Sequence, residues 1–266
     1  MGENSPAVAN ATKRRLAEGR VVTGMMVRLT RTADIAVIAA SCGFDALNVD
    51  LEHSQLTLGE TAQICVSALS SGITPLVRVP SQDPAFMGRV LDGGAQGLIV
   101  PHVQSAQEAQ VIAAATRFPP AGHRSMGGTG PLLRYQTVPT PIAAPAVDAE
   151  TLITVMLETS QAVGNAATIA AVPGVDMVMI GTNDLCADMG LHGQLGHQRV
   201  LDAYAEVARA CKANGKHLAI GGIKADMTLL GKLVALGARY ISANTDMALL
   251  IGAARAHATE LRQLQA

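Results

Sequence analysis

Residues 74–100 read TPLVRVPSQDPAFMGRVLDGGAQGLIV, and their pattern decides the fold. An apolar run over 74–79 gives way to a segment of helical period over 83–93. The Gly-rich stretch DGGAQG follows, and then a second apolar run, 97–100. Both runs are near-continuously apolar rather than alternating, which suits strands covered on both faces of a parallel sheet. The glycines supply the turn that closes the helix before the next strand.

The same unit recurs along the chain. Strands are predicted over 21–28, 44–50, 74–79, 97–100, 152–157, 176–180, 217–220 and 239–243, with helices over 57–71, 83–93, 105–116, 199–214 and 245–264. Thr57 with Glu60, and Ser105 with Glu108, have capping-box spacing. Eight βα units in ~250 residues predict a (β/α)8 TIM barrel. A doubly wound open sheet is the alternative, but no GxGxxG follows the first strand to support a dinucleotide-binding version. Residues 1–20 read as a polar segment with a helix, and 21–266 as one barrel domain. Two long excursions, 117–150 and 185–198, break the regularity and are expected to gather at one end of the barrel.

Composition narrows the function. The 266 residues are 49% hydrophobic and only 15% charged, with a formal net charge of −1. With no basic excess, 2% aromatics and no Trp, nucleic acid is not an expected partner. No apolar run reaches the ~18 residues that span a bilayer, and the polar start lacks both a signal-peptide core and a myristoylation pattern. Cys42, Cys65, Cys186 and Cys211 stand far apart without a CxxC pair, as expected of reduced thiols in a cytoplasm.

In a barrel every strand's carboxyl end faces one mouth, where active sites form. The run FDALNVDLEH, 44–53, leaves Asp50, Glu52 and His53 there. The next strands add Arg78, His102, Glu158 and Asp184. Ionisable groups from five strands at one relative position point to a site. Glu158 and Asp184, with no Cys or paired His beside them, suit a hard cation such as Mg2+ or Mn2+. The plainer reading makes Glu158 a helix cap and Asp184 a turn residue. Arg78 needs an anion, which is either Asp50 or Glu52 in an ion pair or else a substrate carboxylate or enolate. His53 beside Asp50 suggests a base oriented by a carboxylate. Only Lys224 lies where an imine-forming lysine would have to be, so electron withdrawal by a metal is the better expectation. Gly221 and Gly222 form either an anion cradle or a plain turn, and His192 and His197 read as surface residues.

The motifs FDALNVDLEHSQ, PLVRVPSQDPAFMGRVLDGGAQGLIVPHVQSAQEA, RFPPAGHRS, ETSQAV and GVDMVMIGTNDLCADMG, in that order, resemble the HpcH/HpaI aldolase family. These are metal-dependent aldolases that cleave 4-hydroxy-2-oxo acids to pyruvate and an aldehyde. The resemblance implies a divalent cation (Mg2+ or Mn2+, with Co2+ a further option). It also implies a homo-oligomer, hexamer or trimer, whose last helix packs on a neighbour. Glu158 and Asp184 are then the metal ligands and His53 the base, with Asp50 its partner acid. Arg78 stabilises the enolate, and Asp92 raises the histidine's basicity. Two departures stand out. Met156 occupies the position of a usual Gln, and Thr182 and Asn183 alter the usual GPADLS motif, leaving their backbone N–H groups to bind a carboxylate. An acyl-CoA ester lyase of the citrate lyase beta type and a non-catalytic keto-acid-binding barrel are the alternatives.

Overall fold

The apolar runs pair edge to edge in chain order and close on themselves. In a computed structural model describing residues 5–224 and 226–264, the strands are β1 Val22–Val27, β2 Ala46–Asp50, β3 Thr74–Arg78, β4 Gly97–Val100, β5 Leu152–Leu157, β6 Met177–Gly181, β7 His217–Gly221 and β8 Ala238–Thr245. They form one closed parallel barrel in the order β1 to β8. Every residue of β2 through β6 is buried, as a sheet covered on both faces requires.

Helices surround the barrel: α1 Ala11–Ala17, α2 Asp34–Ser41, α3 Leu58–Ser70, α4 Pro84–Asp92, α5 Ala106–Thr116, α6 Thr140–Glu150, α7 Ser160–Gly164, α8 Ala166–Ala170, α9 Thr182–Asp188, α10 Gln198–Ala213, α11 Met227–Ala235 and α12 Asp246–Gln263. The capping box at Thr57 and Glu60 forms in full, and such a cap contributes about 1 kcal/mol. Ser105 caps α5 through the amide of Glu108. One core layer lies between strands and helices. A second fills the barrel with Leu16, Val22, Ala46, Leu76, Ile99, Leu152, Met156, Met177, Met179, Ala219 and Tyr240. Leu16 comes from α1, so the N-terminal helix plugs the barrel floor. A buried leucine of this kind stabilises by roughly 1.5–3 kcal/mol.

The expected gathering of both long excursions at one end is corrected by the structure. Residues 117–150 follow α5, which has already returned the chain to the amino ends of the strands. Arg117 Nη1 donates to the carbonyl of Thr151, just before β5, at 3.1 Å, and Val8 N–H donates to the Leu132 carbonyl at 2.8 Å. This segment therefore seals the barrel's far end. It also contains α6, with Pro145 in its interior, and a short 3-10 turn over 131–133. The excursion 185–198 does lie at the mouth side, and α9 occupies its beginning. His197 is a helix cap there, its Nδ1 accepting from Arg199 N–H at 3.2 Å. Among the described residues, no helix is long and apolar enough to cross a membrane.

Candidate active site

Asp50 and Arg78 are register partners across β2 and β3, so both side chains enter the mouth at one level. Arg78 Nε donates to Asp50 Oδ1 at 2.9 Å and Nη2 to Oδ2 at 2.7 Å, the planar fork that a carboxylate fits best. Its third nitrogen, Nη1, lies 2.9 Å from Glu52 Oε2. Arg28, just past β1, adds Nε at 2.5 Å from Asp50 Oδ2. Burial alone would raise the Asp50 carboxyl, but Arg78 and then Arg28 outweigh it and hold it below the usual range. Desolvation acts against the Arg78 cation, and Asp50, Glu52 and Glu158 more than offset it. The structure thus realises the ion-pair reading of Arg78, and it does so at the rim where a substrate anion would arrive.

His53 reaches the same mouth, with its side chain 55% exposed. Its expected partner is corrected. Asp50 meets it only through the backbone, His53 N–H donating to Oδ1 at 3.3 Å, whereas the ring's Nε2 lies 3.6 Å from Glu52 Oε2. Asp50 is saturated by two guanidinium groups and the amides of Glu52 and His53, so no lone pair faces the imidazole. Glu52 is the carboxylate beside the His53 ring.

His102 adopts φ 58°, a conformation uncommon outside glycine. The backbone turn sets its ring between two carboxylates, with Nε2 2.9 Å from Glu52 Oε1 and Nδ1 3.0 Å from Glu158 Oε2. Its own N–H also donates to Glu158 Oε2 at 2.8 Å.

Glu158 follows β5 and is 3% exposed. Its carboxylate lies against Gly181, at the end of β6. A Cβ on Gly181 would stand 2.7 Å from Oε1, so only glycine leaves room for it. With Oε2 engaged by His102, Oε1 accepts no hydrogen bond among the described residues. Burial pushes the Glu158 carboxyl above its usual range, and the charges of Asp184 and Glu52 add to the rise. Asp184, in the first turn of α9, is exposed and likewise accepts no hydrogen bond among the described residues. The two carboxylates are near enough for the charge of Asp184 to act on Glu158, and each keeps an oxygen without a hydrogen bond among the described residues.

The mouth cavity, about 230 Å³, is lined by Arg28, His53 and Arg78 on one side and by Gly181, Thr182, Asn183 and Asp184 on the other. Met26, Ile99, Met156 and Met179 also line it. Met156 makes part of the wall apolar where the resemblance would place an amide. The Thr182 hydroxyl turns away from the cavity to Tyr204 Oη at 2.7 Å and to the Gly221 carbonyl. Asn183 Nδ2 donates to the carbonyl of Gly222 at 3.2 Å. Lys224 also borders the cavity, as its position predicts.

Asp92 is not brought to this mouth within the chain. It ends α4, which runs from β3's carboxyl end to the opposite face. There it pairs with Arg124 Nη2 at 2.7 Å, beside a separate cavity of about 280 Å³. Its expected influence on His53 therefore has no contact in one protomer. Sequence reasoning missed Arg28, which it placed as the last residue of the first strand without a role; its partner Asp50 becomes visible only once β1 and β2 are paired. The sequence places His102 at the rim without a role and offers Glu52 only as an ion-pair partner for Arg78, a pairing the structure contains.

The family model described as HpcH/HpaI aldolase/citrate lyase matches residues 23–253. The 4-hydroxy-4-methyl-2-oxoglutarate aldolase of Hapsidospora irregularis is 37% identical over 92% of this chain and 92% of its own length. The 4-hydroxy-2-oxovalerate aldolase of Novosphingobium aromaticivorans is 36% identical over 89% of this chain and 88% of its own. The crystal structure of an HpcH/HpaI aldolase from Desulfitobacterium hafniense DCB-2 superposes with a TM-score of 0.89, at 32% identity, covering 94% of this chain and 96% of that one. With barrel, mouth and motifs in agreement, the chain belongs to the HpcH/HpaI aldolase/citrate lyase family and is a lyase.

Proposed function

We propose that this protein is a divalent-metal-dependent aldolase that splits 4-hydroxy-2-oxo acids into pyruvate and an aldehyde. The observation that carries the reading is the placement, around one mouth, of the Asp50–Arg78–Glu52 clamp and the open carboxylates of Glu158 and Asp184. The donor set fits a hard cation. Among the described residues, no group of three or more His, Cys, Asp or Glu is disposed to hold a metal, so there is no closed cage. Two carboxylates that leave positions for water and substrate suit Mg2+ or Mn2+, with Co2+ a further option. Bound there, the cation would withdraw electrons from the 2-keto group and hold enolate charge.

The chain's own residues supply the rest. His53 takes the proton of the C4 hydroxyl, and Glu52 at 3.6 Å steadies the charged imidazole. The C3–C4 bond breaks, C4 becomes the aldehyde carbon, and the electron pair remains as pyruvate enolate. Arg78, kept cationic by Asp50 and Glu52, faces that charge in a mouth of low dielectric. Return of a proton to C3 releases pyruvate. The apolar surface of Met156 and Met179 limits water near the enolate.

The cavity of about 230 Å³ lies below the ~300–1,000 Å³ typical of drug-sized ligands. A compact acid fits it better than an acyl-CoA ester. The homo-oligomer, hexamer or trimer, is supported by α12. Asp246 is its one buried residue, while Leu249, Leu250, Ile251 and Leu261 stand exposed along it. Four free thiols suit a reducing, cytoplasmic setting. The test is pyruvate release from a panel of 4-hydroxy-2-oxo acids, with and without EDTA. Metal-dependent release is expected. Turnover of an acyl-CoA ester instead, or of nothing while keto acids still bind, would replace the reading.

A further inference from the structure

Resting on the aldolase reading, we infer that Arg28 is a specificity-determining residue that binds a second carboxylate on the substrate's aldehyde-derived half. The preferred substrates are then 4-hydroxy-2-oxo diacids rather than monoacids.

Arg28 is held in place from both ends. Its backbone N–H and those of Leu29 and Thr30 donate to the Asp246 carboxylate at 2.8 to 3.2 Å, fixing the turn after β1. Its Nε is anchored on Asp50. Nη1 and Nη2 donate to no protein acceptor among the described residues, and the side chain borders the mouth cavity at 26% exposure. For Asp50 alone this second guanidinium is redundant, since Arg78 already engages both of its oxygens.

Position on the ring supplies the direction. In the closed order β1 to β8, β1 and β2 stand across the barrel from β5 and β6. The 2-oxo acid end of a substrate belongs at Glu158 and Asp184, after β5 and β6. A short chain extending from there crosses the cavity toward Arg28 and His53. His53 meets the C4 hydroxyl, and the group beyond C4 meets the forked donors of Arg28. Met26, Ile99, Met156 and Met179 line the path; of the other cations at the cavity, Arg78 is engaged by Asp50 and Glu52, and Lys224 follows β7, beside β6 rather than beside β1.

The test compares kcat/KM, in the presence of Mn2+, for 4-hydroxy-2-oxoglutarate and 4-hydroxy-2-oxopentanoate in the unaltered protein, Arg28→Gln and Arg28→Lys. The diacid yields pyruvate and glyoxylate; the monoacid yields pyruvate and acetaldehyde. Arg28→Gln is expected to lower the diacid-to-monoacid ratio about 10- to 100-fold, the loss of charge-assisted hydrogen bonds, mainly through KM. Arg28→Lys should recover part of the ratio. Equal losses on both substrates would overturn the inference and leave Arg28 as a clamp on Asp50 alone. Calorimetric titration of the same proteins with 2-oxoglutarate and 2-oxobutyrate gives a second readout without turnover. If the unaltered protein cleaves neither aldol, the aldolase reading fails; a selective loss of 2-oxoglutarate affinity in Arg28→Gln would still support the Arg28 site, and its absence would overturn it.

Discussion

Arg78→Met removes a charge while keeping much of the side chain's apolar volume. In the folded protein Arg78 makes two bonds to Asp50 and one ion pair to Glu52, and the Arg78 side chain is 6% exposed against 0% for Asp50. Losing one member of a buried pair costs about 3–5 kcal/mol, because the remaining carboxylates are uncompensated. At roughly 2–4 °C per kcal/mol for a chain of this size, melting should fall by about 6–20 °C. Arg28 still touches Asp50, which favours the lower part of that range. The deficit has a pH signature. In the unaltered protein the Asp50 carboxyl lies below its ordinary value, so its stabilisation is present at neutral pH and is lost only as pH falls through that depressed value. Without Arg78 the carboxyl titrates higher, and protonation relieves the uncompensated charge. The gap between the two proteins should therefore narrow on acidification below about pH 4. Catalysis is separable from folding. At a temperature where both proteins are folded, pyruvate release measured by lactate dehydrogenase coupling should fall about 10²–10³-fold, as for a lost oxyanion donor. A folded Arg78→Met that retained full retro-aldol activity would refute the role of Arg78 in holding enolate charge. A stability deficit independent of pH would refute its electrostatic coupling to Asp50.

Met156→Gln places an amide donor on the mouth wall and should lower KM for 2-oxo acids about 2- to 10-fold, the range of one net hydrogen bond; an unchanged KM would show that this wall does not meet the keto acid. Leu250 is 60% exposed on α12, and Leu250→Glu should shift sedimentation velocity toward smaller species if that face is covered by a second copy. An unchanged sedimentation profile would place the subunit contact elsewhere.

The barrel was legible because each strand is a short apolar run set between turn residues, and because helix caps such as Thr57 with Glu60 mark where the period changes. The site was legible at the level of address. Asp50, Arg78, Glu158 and Asp184 each stand at a strand's carboxyl end, and the closed ring brings those ends together. Pairing was less legible. Proximity in sequence suggested Asp50 as the partner of His53, yet two arginines from neighbouring strands saturate that carboxylate, and the turn after β2 swings the imidazole toward Glu52. The segment 117–150 was misplaced because its proline- and glycine-rich composition hid α6. Chain order held the better clue: a stretch after a helix and before a strand lies at the barrel's amino end. Asp92 follows the same rule, since the last residue of α4 cannot return to the mouth it left.

In the proposed reaction Glu158 and Asp184 share one divalent cation on which aldol cleavage depends. The most direct test is calorimetric titration of Mn2+ into EDTA-stripped protein, Glu158→Gln and Asp184→Asn, with pyruvate release followed in the same samples. One site per chain is expected in the unaltered protein, with activity restored as that site fills and both lost in each variant. Full pyruvate release from stripped protein, or undiminished Mn2+ binding by either variant, would contradict it.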